Sequence, residues 1–125
     1  MQEVKSNKIC FIACVNNDMY WEECQLYLRQ LIIPEGYEVD IISIREAKSM
    51  TAGYNEGMKA TDAKYKIYLH QDTFLVNPYF LMEMLDIFQS DASIGMMGLV
   101  GAPKMAEDGI MWRADRVFSV YCAFN

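Results

Sequence analysis

The chain has 125 residues, enough for one domain, and a hydrophobic fraction of 53% can fill a sizeable core. Eleven basic against seventeen acidic side chains leave a net charge of −6. That balance argues against a nucleic-acid or anionic-membrane surface, which needs clustered Lys and Arg, and it suits a protein that binds a cation.

The first apolar run, residues 8–15 (KICFIACV), has the length and continuity of a buried strand. Asn16-Asn17-Asp18 follows as a turn and helix-cap cluster. A helical pattern then places Tyr20, Cys24, Tyr27, Leu28 and Leu31 on one face, until Pro34-Glu35-Gly36 breaks it. Residues 37–44 (YEVDIISI) read as a second strand. Ser49 can cap a helix running to about Thr61, with Met50, Tyr54 and Met58 four residues apart. Residues 64–69 form the third strand. Asn77-Pro78 predicts a helix start, with Asn as cap, and Phe80, Leu81, Met84, Leu85 and Phe88 as the core stripe. Residues 94–100 (IGMMGLV) read as a fourth strand, and residues 117–124 (VFSVYCAF) as a further strand, antiparallel or at an edge.

Strands that are apolar throughout and alternate with helices imply a parallel sheet covered on both faces. The expected fold is therefore a three-layer α/β/α sandwich with right-handed crossovers, in a single domain over residues 1–125. No apolar run approaches the ~18 residues needed to span a bilayer. The opening MQEVKSNK has no apolar core, so no signal peptide is expected. Cys10, Cys14, Cys24 and Cys122 include no C-x-x-C pair, and the expectation is buried free thiols in a reducing cytoplasm.

In open α/β sheets ligands bind beyond the carboxyl ends of the strands. Three polar clusters fall there: Asn16-Asn17-Asp18, Arg45-Glu46 and His70-Gln71-Asp72. His70 and Asp72 are two apart, so in extended chain both can face one crevice. Each also has a plain structural reading, His70 as a satisfied histidine and Asp72 as a loop or capping carboxylate. Gly53 and Gly57 share a helix face and signal close approach, either by the sheet or by a ligand's ribose or phosphate near Asn55 and Gly57. There is no G-x-G-x-x-G and no Walker motif, so Rossmann or P-loop chemistry is not supported. No nucleophile with a local base stands out. Trp112-Arg113 follows a turn and is a further candidate for the crevice rim.

Three motifs in order resemble the GT-A type, family 2 nucleotide-sugar glycosyltransferases, and most of all a bacterial branch that writes H-Q-D for D-x-D. Residues 12–17 (IACVNN) stand where the family has an apolar strand ending in P-V-Y-N. Residues 52–57 (AGYNEG) stand at its R-N-x-G helix start, and residues 68–72 (YLHQD) at its F-L-D-A-D. The resemblance runs from about residue 8 to residue 101. It implies a metal-assisted transfer of a sugar from a nucleotide diphosphate sugar to an acceptor hydroxyl of a glycan or polysaccharide precursor. It implies Asp72 at a divalent cation, Mn²⁺ or Mg²⁺, and at the donor diphosphate, and His70 facing the donor's ribose or the metal. It places Asn16, Asn17 and Glu46 at the nucleoside, and Asn55 at the family's Asn.

The departures carry expectations of their own. His70 replaces a carboxylate, which removes one negative charge and suits Mn²⁺ better than Mg²⁺. Arg45-Glu46 stands where the family ends its second strand in an acidic pair, and Tyr54 replaces its Arg. None of Glu107, Asp108 and Asp115 matches the family's base motif, so the acceptor-side part is expected to be missing after about residue 101 and the isolated chain to bind donor with little transfer. Two other readings stand beside this one: a catalytically inactive nucleotide-sugar-binding or oligomerisation module, and a receiver-like signalling domain. A homodimer built through residues after about Ile94 is also expected, because that region's uncharged strands would leave an open apolar edge.

Overall fold

The structure is a computed structural model that describes residues 3–98, 100–101, 104, 106–109 and 117–118. Its elements alternate as the sequence implies: β1 (Lys5–Val15), α1 (Asp18–Gln30), β2 (Glu38–Arg45), α2 (Met50–Ala60), β3 (Ala63–His70) and α3 (Phe80–Ser90). Two short strands follow, β4 (Val100–Gly101) and β5 (Val117–Phe118). The first three strands form a parallel sheet in the order β2-β1-β3. β1 is therefore hydrogen-bonded on both edges, and Ile9, Cys10, Phe11, Ile12 and Ala13 are fully buried. A strand in that position reads as a continuous apolar run because both of its faces are covered.

Alternation along β1 sorts its side chains between two layers. Ile9, Phe11, Ala13 and Val15 join the larger core, with Trp21, Cys24 and Leu28 of α1 and Phe80, Leu81, Met84 and Leu85 of α3. Cys10 and Ile12 face the other way, into a smaller cluster that Ile42 and Tyr54 border. The fold is the expected three-layer α/β sandwich, with α1 and α3 on one face and α2 on the other. No helix among the described residues is long and apolar enough to cross a membrane.

Three expectations are corrected. On α1 the buried residues are Trp21, Cys24 and Leu28, while Tyr20 is exposed. Asn17 fixes that register: its Oδ1 accepts from Met19 N at 3.1 Å and Tyr20 N at 3.2 Å, so Tyr20 lies in the capped first turn. On α2, Met50 and Met58 are exposed and the sheet-facing positions are Gly53 and Gly57. A Cβ on Gly53 would sit 2.5 Å from Cys14 Sγ, and one on Gly57 would collide with Ile12 Cγ2. The two glycines let this helix lie close against β1. The third correction concerns residues 94–100. Residues 94–98 form no strand, Met96 is almost fully exposed, and Val100–Gly101 pairs antiparallel with Val117–Phe118, apart from the central sheet. Gly95 and Gly98 weaken that segment as a strand, since glycine brings backbone entropy and no side chain to pack. Most of the segment proposed for dimerisation, and Trp112-Arg113, Asp115 and Cys122, lie outside the described residues.

Ser49 caps α2 as expected, its Oγ accepting from Ala52 N at 3.1 Å. Asn77 acts one turn before α3: it accepts from Tyr79 N at 3.0 Å and donates to Glu83 at 2.6 Å, and the helix itself begins at Phe80. Cys10, Cys14 and Cys24 are free thiols.

Candidate functional site

The three parallel strands end nearly level. In register Val15 lies opposite Arg45, and Cys14 opposite both Ile44 and His70. The segments that leave these ends enclose a cleft of about 320 Å³. Asn16, Glu46, His70 and Asp72 line it, together with Gln71 and Tyr54. Four of the residues singled out in the sequence therefore meet at one place. Three do not line it. Asn17 is turned to the cap of α1, Asn55 is exposed on α2, and Gly57 is buried against Ile12.

Each strand end is shaped by a local device. After β2 the chain reverses at Glu46, whose φ of 56° places a non-glycine residue in the left-handed region. Such a backbone costs on the order of 1–3 kcal/mol and is held by its surroundings. The preceding Arg45 supplies a hold: its Nη1 lies 2.7 Å from Asp18 Oδ1 at the start of α1. A receiver-like site would need an acidic pair after β1; the cluster there supplies one acid, Asp18, and it is engaged in this ion pair. After β3, Thr73 N donates to His70 O at 3.0 Å and closes a tight turn that carries Gln71 and Asp72.

The sequence reading passed over Gln71, the middle of H-Q-D. Its Oε1 accepts from the backbone N–H of both Asn16 and Asn17, each at 3.0 Å, and its Nε2 donates to Asn16 Oδ1 at 2.6 Å. The available signal was chemical: a side-chain amide carries a separate acceptor and donor, and two asparagines follow the adjacent strand. Tyr54, expected on the apolar stripe of α2 and as a replacement for the family's Arg, donates its hydroxyl to Leu69 O at 2.9 Å and meets Tyr68 edge-on at 5.5 Å between centroids. It ties α2 to the end of β3 and forms part of the cleft wall.

Glu46, His70 and Asp72 are exposed, and none of them forms an ion pair or side-chain hydrogen bond among the described residues. Among the described residues the thiols offer no activated nucleophile. Burial raises the Cys14 pKa above the ordinary thiol value, with Glu56 adding to it, and its Sγ donates to Met50 O at 3.8 Å. Burial pushes Cys24 up to about 11, with a smaller contribution from the charge of Asp72. Burial likewise raises Tyr54, which keeps its hydroxyl a donor. Among the described residues no group of three His, Cys, Asp or Glu side chains converges to hold a metal ion. The pair His70 and Asp72 shares the cleft. A divalent cation commonly takes one or two protein ligands and completes its shell with substrate phosphates and water, so one carboxylate and one imidazole are donors that a cation held jointly with a diphosphate could use.

A family profile described as glycosyltransferase like family matches residues 10–125. No curated protein and no solved structure matches the chain. The match takes in nearly the whole sequence, including the three strand ends and the cleft between them, and the chain belongs to this glycosyltransferase-like family.

Proposed function

We propose that the cleft at the carboxyl ends of β1, β2 and β3 is the donor site of a glycosyltransferase, taking a nucleotide diphosphate sugar for transfer to an acceptor hydroxyl of a glycan or polysaccharide precursor. One observation carries the reading: in a member of this family, an open carboxylate and the chain's single histidine share one cleft beyond parallel strand ends, and Glu46 and Asn16 line the same cleft.

The chain's own groups divide the work by position. Glu46, held at the reversal after β2, presents an acceptor suited to ribose hydroxyls or to a base N–H. Asn16 has its Oδ1 committed to Gln71, so the group it offers a ligand is its amide N–H₂. Asp72 and His70 would hold the divalent cation, and His70 favours Mn²⁺ over Mg²⁺ within the reading. When bound, that cation supplies Lewis-acid neutralisation of the diphosphate. Its need follows from the charge of the protein, because a net −6 repels a diphosphate that arrives without a counter-ion. Buried Ile44 and half-buried Cys14 and Tyr54 line the cleft on the side facing α2.

Calorimetric titration with UDP, with and without Mn²⁺, tests the reading. Tighter binding in the presence of Mn²⁺ supports it. Equal affinity in both conditions removes the metal from the site, and absence of binding to any nucleoside diphosphate removes the donor site altogether.

A further inference from the structure

The bonds made by Gln71 exceed what a surface loop residue requires. Sheet pairing ends at Val15 and Arg45 on one edge of β1 and at Cys14 and His70 on the other. The next two backbone N–H groups, of Asn16 and Asn17, therefore have no partner strand. Both are taken by one atom, Gln71 Oε1, at 3.0 Å each. The second half of the same amide, Nε2, then fixes the Asn16 side chain at 2.6 Å. One side chain thus sets the backbone after β1 and the rotamer of a cleft-lining residue on it. Gln71 itself lies between His70 and Asp72, so the link joins the two walls of the cleft across 55 positions of sequence.

We propose that Gln71 is a positioning residue. It clamps the end of β1 to the end of β3, and so fixes the distance between the wall carrying Asn16 and the wall carrying His70 and Asp72. This rests on the donor-site reading for its consequence, though not for its geometry. A donor that reaches from nucleoside to diphosphate must span both walls. A clamp that sets their separation before binding removes that ordering cost from the binding step. Both halves of the amide are required. Glutamate could still accept from the two N–H groups, but it has no donor and would face Asn16 Oδ1 with like charge. Asparagine is one methylene shorter.

The test uses the full chain, with Gln71→Ala and Gln71→Glu. Hydrogen exchange of individual amides in the ligand-free protein reads the clamp, and calorimetry with UDP and Mn²⁺ reads the positioning. In Gln71→Ala the Asn16 and Asn17 amides should exchange at least about tenfold faster while the amides of residues 9–12 do not change, and UDP affinity should fall about tenfold, the scale of one or two lost hydrogen bonds. In Gln71→Glu the two amides should stay protected while affinity still falls, because the Asn16 rotamer is released. Unchanged exchange at Asn16 and Asn17 in Gln71→Ala overturns the clamp. Faster exchange with unchanged UDP affinity overturns the positioning role and leaves a local structural bond. If the parent chain binds no UDP, the donor reading fails and the positioning role with it, and the exchange data still decide the clamp. Should Gln71→Ala not fold, the Gln71→Glu pair of measurements decides: loss of affinity with protected amides supports the proposal, and retained affinity overturns it.

Discussion

The two ends of the parallel sheet use polar residues in opposite ways. At the amino end the charges close on one another. Lys8, half-buried, lies 2.7 Å from Asp62 and 3.8 Å from Asp40, and Lys5 lies 3.2 Å from Glu38. At the carboxyl end the Arg45–Asp18 ion pair and the amides of Gln71 and Asn16 brace the backbone, while Glu46, His70 and Asp72 open into a cleft and form no ion pair among the described residues. Cavity size does not separate the two, since the amino end carries the larger depression, about 500 Å³, lined by Glu3, Lys5, Asn7 and Asp62. The difference lies in what the polar groups already hold. Charges that satisfy each other anchor strands, and charges left open beside a braced backbone are available to a ligand.

The strongest way to break that comparison is to remove what both ends share. Phe11 is fully buried at the centre of β1. Phe11→Ala should cost about 3–5 kcal/mol in urea unfolding and disrupt both ends together. Gly57→Ala should cost about 1–3 kcal/mol, because the added carbon meets Ile12 in a packed layer. Gly57 does not line the cleft, so the folded fraction of that variant should keep its UDP affinity, as read by calorimetry. Asp72→Asn inverts the pattern. Its unfolding free energy should stay within about 0.5 kcal/mol of the parent, since the carboxylate is exposed, and the increment in UDP affinity produced by Mn²⁺ should vanish.

The smallest effect belongs to the amino end. The hydrogen bond from Lys8 holds the Asp62 carboxyl below its ordinary pKa, and Asp62 correspondingly raises Lys8. A depressed carboxyl contributes stability that is present above its unfolded value near ~4 and is lost as pH falls through the lower folded value. Raised Lys8 contributes stability that is present below its unfolded value near ~10.4 and is lost as pH rises through the higher folded one. Denaturation followed across the acid limb should therefore show a shallower loss in Asp62→Asn than in the parent, with the cleft's affinity for UDP unaffected at neutral pH.

Much of the scaffold was legible because its signals are long and redundant. The run KICFIACV can be little other than a strand covered on both faces, and its neighbours repeat the pattern at spacings that fit crossover helices. The errors arose where a local pattern depends on a neighbour. Met50, Tyr54 and Met58 form an apolar stripe, yet the sheet-facing positions are the two glycines, which apolar periodicity does not register. Tyr20 and Trp21 are equally apolar candidates, and the cap at Asn17 chooses between them. Residues 94–98 are apolar enough for a strand but carry glycines at 95 and 98 and take no place in the described sheet. In the cleft, His70, Asp72, Glu46 and Asn16 were visible because charged and polar residues at strand ends are conspicuous. Gln71 was not, because its importance lies in three bonds to residues 54 and 55 positions away.

Paramagnetic broadening by Mn²⁺ compares the two ends in one experiment. Mn²⁺ added with UDP to isotopically labelled chain broadens the amide signals nearest the bound ion. The account predicts selective loss of the signals of Asn16, Glu46, His70, Gln71 and Asp72, with those of Lys5, Lys8 and Asp62 preserved, and restoration of the first set in Asp72→Asn. Broadening centred on Lys5, Lys8 and Asp62, or an equal response at both ends, would contradict it.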